Sequence, residues 1–131
     1  MIAPMWRVMR AAAILSVAAA LPLSGAGKPS LNAYFQKTLT DAAYQKKVFE
    51  KVARTWKAPA SFPAVGKKTV VQAVITKEGK LASAAVSMES GAKAWDDAAL
   101  ASVTKAAPFG PLPAGYAYRS VEVHFHFAVV P

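Results

Sequence analysis

Apolar and polar positions follow two different periods along this chain. From Asp41 to Trp56 the apolar residues Tyr44, Val48, Val52 and Trp56 recur at i, i+4, i+8 and i+12. Phe49 widens that stripe, while Gln45, Lys46, Lys47, Glu50, Lys51 and Arg54 fall mostly outside it. This predicts an amphipathic helix over 41–56. Asp41 suits its N-terminus, where a carboxylate meets free N–H groups, and Lys51, Arg54 and Lys57 suit the opposite end of the helix dipole. Pro59 then forbids continuation. Near the end of the chain the period changes to two. Val121, Val123, Phe125, Phe127 and Val129 share one face of a strand over 120–130, and Glu122, His124, His126 and Ala128 share the other. The first face is core; at about 25 cal/mol per Å² of apolar area its burial contributes several kcal/mol gross.

Between these two elements the pattern is intermediate. Ala58 to Gly66 holds Pro59, Pro63 and Gly66 and reads as a loop. Lys68 to Thr76 is rich in β-branched residues and predicts a strand. Lys77-Glu78-Gly79-Lys80 makes a hairpin turn in which Gly79 supplies a positive φ, and Leu81 to Met88 returns as a second strand with small side chains. Ser90-Gly91 ends it. Trp95 to Ala106 predicts a second helix, with Ala99, Leu100, Val103 and Ala106 as a narrow apolar face and Asp96 and Asp97 placed to cap its first turn. Ala107-Pro108-Phe109-Gly110-Pro111-Leu112-Pro113 stops that helix. Ser90 to Pro113 is thus the crossover that carries the chain over one face of a sheet to its last strand. The expected fold is α+β: a two-layer sandwich in which two helices pack on a small antiparallel three-stranded sheet, in the order α-β-β-α-β.

The N-terminus changes the picture from a domain to an exported domain. Arg7 and Arg10 precede an apolar run from Ala11 to Leu23, which ends in Ser24-Gly25-Ala26. This is the order of a secretory signal peptide. The run falls short of the roughly 20 apolar residues that span a bilayer, and Pro22 interrupts it. The reading adopted is a cleavable signal peptide over 1–26, with an uncleaved anchor as the alternative. A short lead or linker follows over 27–40, in which helical spacing starts from Ala33, and the domain proper occupies 41–131.

Charge and candidate chemistry narrow the function. The net charge is +9, with Lys and Arg spread along the chain. No basic run is interleaved with stacking aromatics, so nucleic acid is not the expected partner. Cysteine is absent, which excludes disulfides and thiol chemistry. Asp96 and Asp97 are neighbours on a helix and diverge by about 100°, so they do not form a catalytic carboxylate pair. His124 and His126 share a strand face but lack a third ligand, so no metal site is assigned. Ser83, Ser87, Ser90 and Ser102 have no evident His-plus-acid partner in the sequence. No catalytic residue, cofactor or metal is expected, and the chain reads as a binding module rather than an enzyme.

A set of short motifs in order then suggests a family. They are Tyr44 with Trp56-Lys57-Ala58-Pro59, Glu78-Gly79-Lys80, Ser90-Gly91, Trp95-Asp96-Asp97-Ala98-Ala99-Leu100, Ala107-Pro108-Phe109 with Pro111-Leu112-Pro113, and Phe125-His126-Phe127. Together they span Tyr44 to Val130, and the pattern resembles the C-terminal domain shared by TonB-like and TolA-like proteins of Gram-negative envelopes. The resemblance implies a periplasmic protein-binding module that engages an envelope protein or outer-membrane receptor, often by adding a strand to an exposed sheet edge. Such an edge offers unpaired N–H and C=O groups to an extended peptide. The last strand is the first candidate for that edge, with Val121, Glu122, Val123, His124, Phe125, His126 and Phe127 as partner-binding residues. Sheet edges in such small domains can also pair with themselves to give a homodimer. Full-length transducers of this type carry a membrane anchor and a long spacer. With an apparent signal peptide and almost no spacer, this chain reads as a free-standing periplasmic domain. The alternative is an inner-membrane-anchored component of an energy-transducing transport complex, with 11–23 retained in the membrane.

Overall fold

In the computed structural model, which describes residues 27–131, the elements are β1 (Lys28–Phe35), α1 (Ala42–Thr55), β2 (Lys68–Thr76), β3 (Leu81–Met88), α2 (Lys93–Ala106) and β4 (Ser120–Val130). The expected signal peptide over 1–26 lies outside the described residues. Both helices and the three strands read from the pattern stand where the pattern puts them. The fold is α+β in two layers, and its sheet has four strands in the order β1-β4-β2-β3, all antiparallel.

The fourth strand corrects two expectations. Lys28–Phe35 is neither a linker nor, from Ala33, the start of helical spacing: it pairs with β4 from Lys28↔Val130 to Phe35↔Val123. In consequence the last strand is not an edge. Val121 to Phe127 lies between β1 and β2, with β2 paired to it from Lys68↔Ala128 to Thr76↔Ser120. The cause is the unpaired backbone that β4 would otherwise present, which an extended segment a few residues upstream of α1 is well placed to satisfy.

The core lies between the helices and one sheet face. Val121, Val123, Phe125 and Phe127 are fully buried, as are Val71, Ala73 and Ile75 of β2. Against them pack Tyr44, Val48 and Val52 of α1 and Trp95, Ala99, Val103 and Ala106 of α2. The Asp41 carboxylate caps α1 by accepting the Tyr44 N–H at 2.8 Å. At one end of the core Trp56 sits 5.1 Å from Trp95 and 4.7 Å from Phe127, ring centre to ring centre. The Trp95 indole N–H donates to the Phe127 carbonyl at 2.9 Å, so α2 is tied to β4 by a polar bond as well as by packing.

The proline-rich segment after α2 does more than stop the helix. Fully buried Phe109 fills the core, its N–H donates to the Gly79 carbonyl at 2.8 Å, and the Leu112 N–H donates to the Lys77 carbonyl at 2.9 Å. The segment therefore grips the tip of the β2–β3 hairpin. Gly79 is required there twice over. Its φ is +90°, and a Cβ would lie 2.2 Å from the Gly110 carbonyl oxygen. The Tyr44 hydroxyl donates to that same oxygen at 2.8 Å, and burial pushes the Tyr44 phenol up to about 12.

Candidate functional site

The residues singled out for chemistry resolve first. Asp96 and Asp97 are separated by environment, as their divergence on the helix requires. Asp97 is exposed and pairs with Lys93 one turn earlier at 2.9 Å, a surface contact worth little. Asp96 is buried and is not a helix cap: one oxygen accepts the Ser90 N–H at 3.0 Å, the Ser90 hydroxyl at 2.7 Å and the Thr69 hydroxyl at 2.5 Å. Burial alone would raise its carboxyl, but the hydrogen bonds from Thr69 and Ser90 prevail and hold it below the ordinary carboxylate value. Asp96 thus locks the β3–α2 connection to the start of β2.

The hydroxyls of Ser87, Ser90 and Ser102 are likewise engaged in structure. That of Ser102 donates to the Ala99 carbonyl at 2.7 Å, and that of Ser87 reaches the Val70 carbonyl at 3.3 Å. His124 and His126 fall on the sheet face away from the helices. Nε2 of His124 lies 2.6 Å from a Glu122 carboxylate oxygen, and His126 meets the Tyr34 ring edge-on at 4.6 Å. Burial, then Lys68, then His124 lower the affinity of His126 for its proton. Among the described residues no group of three His, Cys, Asp or Glu side chains is placed to hold a metal ion.

The sheet's flanks remain, and they differ in quality. On β3 the register steps between Val70 and Val71 and again between Val74 and Ile75. Ser87 and Ala82 are thereby left opposite no β2 residue, so bulges bound the short regular stretch from Ser83 to Val86. Bulges of this kind blunt an edge against pairing. On the other flank the outer side of β1 includes Pro29, which has no N–H to offer.

The straightest ladder is inside. β4 pairs with β1 and with β2 without a register step. The Gln36 N–H donates to the Glu122 carbonyl at 2.9 Å, and the Glu122 N–H donates to the Gln36 side-chain oxygen at 3.0 Å. The Glu122 backbone therefore faces β1. Because backbone direction alternates along a strand, His124, His126 and Ala128 also face β1, whereas Val121, Val123, Phe125 and Phe127 face β2. The sequence-predicted binding residues are thus brought together on one strand, but their free side is taken by β1. Sequence reading missed that segment, although a signal exists in the alternation of Leu31, Ala33 and Phe35.

Comparison with known proteins agrees with this architecture. A family model described as TonB C terminal matches residues 41–127. No curated protein matches. A solved structure described as the solution NMR structure of TolAIII bound to a peptide derived from the N-terminus of TolB is similar in fold. Its TM-score is 0.52 at 24% sequence identity, over 66% of this chain and 74% of that one. The family match begins at the cap of α1 and so leaves out β1.

Proposed function

This chain belongs to the TonB C-terminal family, and we propose that it is a periplasmic protein-binding module that takes up an extended segment of an envelope protein or outer-membrane receptor by strand addition. The observation that carries the reading is the extent of the family match. Residues 41–127 comprise both helices, β2, β3 and β4 as far as Phe127, and in that unit taken alone β4 is an edge strand. The proposed binding residues are those of β4 from Val121 to Phe127. Val121, Val123, Phe125 and Phe127 hold the strand rigid from the core side, while Glu122, His124 and His126 direct backbone donors and acceptors to the side that β1 occupies. A rigid, well-packed strand adds little ordering cost of its own, and main-chain hydrogen bonds supply the affinity once its β1 side is open. The peptide bound in the similar TolAIII structure supports the idea that this fold can hold a peptide partner.

Export would rest on residues 1–26. No helix among the described residues is long and apolar enough to cross a membrane. Release of the protein by osmotic shock, with a new N-terminus near Gly27 by mass spectrometry, is the expected result. Retention with the inner membrane and an intact N-terminus would favour the anchored transport component instead. Binding is tested by adding a solubilised envelope fraction, and separately peptides from receptor plug domains, to isotope-labelled protein. Amide shifts within the sheet are expected, and their absence under every condition removes the reading.

A further inference from the structure

We propose that β1 is a resident strand holding the partner's place on β4, and that the partner is an extended segment of matching pattern that binds by displacing it. This rests on the strand-addition reading and adds to it which edge is used, what must leave, and what the ligand looks like.

β1 is built to detach. It stands outside the family match, and none of its residues is fully buried, whereas the β4 residues beneath it on the core face are 0–1% exposed. Its connection to the domain is anchored just beyond the strand. Leu39 is buried in the core, the Thr38 and Tyr116 hydroxyls lie 2.8 Å apart, and Asp41 caps α1. A hinge at Lys37 can therefore release β1, once the two Gln36–Glu122 hydrogen bonds are given up, while the anchor and core stay in place. Elements with few buried contacts and solvent-reachable backbone bonds open locally at low cost. The other two edges are blunted by Pro29 and by the bulges at Ala82 and Ser87. β4 alone offers an uninterrupted ladder.

The resident strand also describes the ligand. It runs antiparallel to β4, places Leu31, Ala33 and Phe35 toward the core side, and sets the Tyr34 ring against His126 on the open face. A partner segment that replaces it has apolar residues at alternate positions, an aromatic residue over His126, and no proline at positions whose N–H must reach β4.

The chain has no cysteine, so a reversible lock is clean to build. Ser30 and Ala128 are directly opposed in the register, and the double substitution Ser30→Cys with Ala128→Cys in the full chain would fasten β1 to β4 on oxidation. The probe is a fluorescent octapeptide copying residues 28–35. Leu31→Asp, which weakens β1 docking, is expected to bind the probe at least tenfold more tightly than the unmodified chain, with amide shifts at Glu122, His124, His126 and Ala128. The oxidised lock is expected to bind at least tenfold more weakly than its reduced form. Unchanged near-ultraviolet dichroism from Trp56 and Trp95 certifies that the core is intact in each variant. Equal binding by locked and reduced forms overturns the proposal, as does absence of probe binding by Leu31→Asp. Shifts confined to Ala82–Val86 would overturn it too, while leaving strand addition itself in place on β3. Exchange of β1 between two copies, seen as a dimer of the unmodified chain, would identify the occupant as a second copy and equally overturn it.

Discussion

β4 has two neighbours, and the comparison between them is instructive. Both pair with it antiparallel and in unbroken register, so their backbone geometry is equivalent. On the β2 side, Thr69, Val71, Ala73 and Ile75 are fully buried. On the β1 side, every residue keeps some exposure. Hydrogen bonds of one kind therefore hold two strands with very different firmness, because burial, not the ladder, sets the cost of opening.

The largest expected effect comes from striking the shared core. Phe125→Ala should cost about 3–5 kcal/mol in denaturant unfolding and loosen both neighbours at once, since the side chain is completely buried. Asp96→Ala should cost about 2–4 kcal/mol, because it strands the Ser90 N–H and two hydroxyls in a buried setting. That effect falls on the β2 side alone. The Asp96 carboxyl titrates below its ordinary value of 3.8 in the folded protein, so its contribution is present above that value and is lost as pH falls through the lower folded value. The gap between wild type and variant, read as unfolding free energy against pH, should therefore narrow in strong acid.

Leu31→Ala should cost only about 1 kcal/mol, since Leu31 is half-buried on the β1 side. A loss as large as that of Phe125→Ala would erase the distinction between the two neighbours. Hydrogen exchange sharpens it within one strand. Amides of His124 and His126, which face β1, should exchange roughly tenfold or more faster than those of Val123 and Phe125, which face β2. Equal protection would show that β1 opens only with the whole domain.

The smallest effect is that of His126. It is surrounded by Lys68 on β2, by His124 with its Glu122 partner on β4, and by Tyr34 and Asn32 on β1. Its folded value lies below the ordinary 6.5, so the unfolded chain binds the proton more readily and stability declines modestly as pH falls through that range. His126→Gln should flatten that part of the profile.

Much of this was legible from local pattern. The period of Tyr44, Val48 and Val52 names a helix, and the alternation from Val121 to Val129 names a buried strand face, because each is set by burial on one side of a regular element. β1 was not legible in the same way. Lys28-Pro29-Ser30 opens like a linker, and what makes the segment a strand is the open side of β4, far away in the chain. The same holds for Asp96. Its position in the first turn suggests a cap, but its partner Thr69 comes from a strand that sequence spacing does not bring near it. The last strand was found and its surroundings were not, for the same reason: side-chain pattern tells which face is buried, and says little about who sits alongside.

The grip of the proline-rich segment on the hairpin tip has a topological consequence. By joining Phe109 to Gly79 and Leu112 to Lys77, it closes β3 and α2 into a single noncovalent ring. Once the ends of such a loop are held, the entropy of closure has already been spent and the elements inside share it. Opening β3 therefore draws on the same closed ring as α2, whereas β1, on the other flank, lies outside that ring.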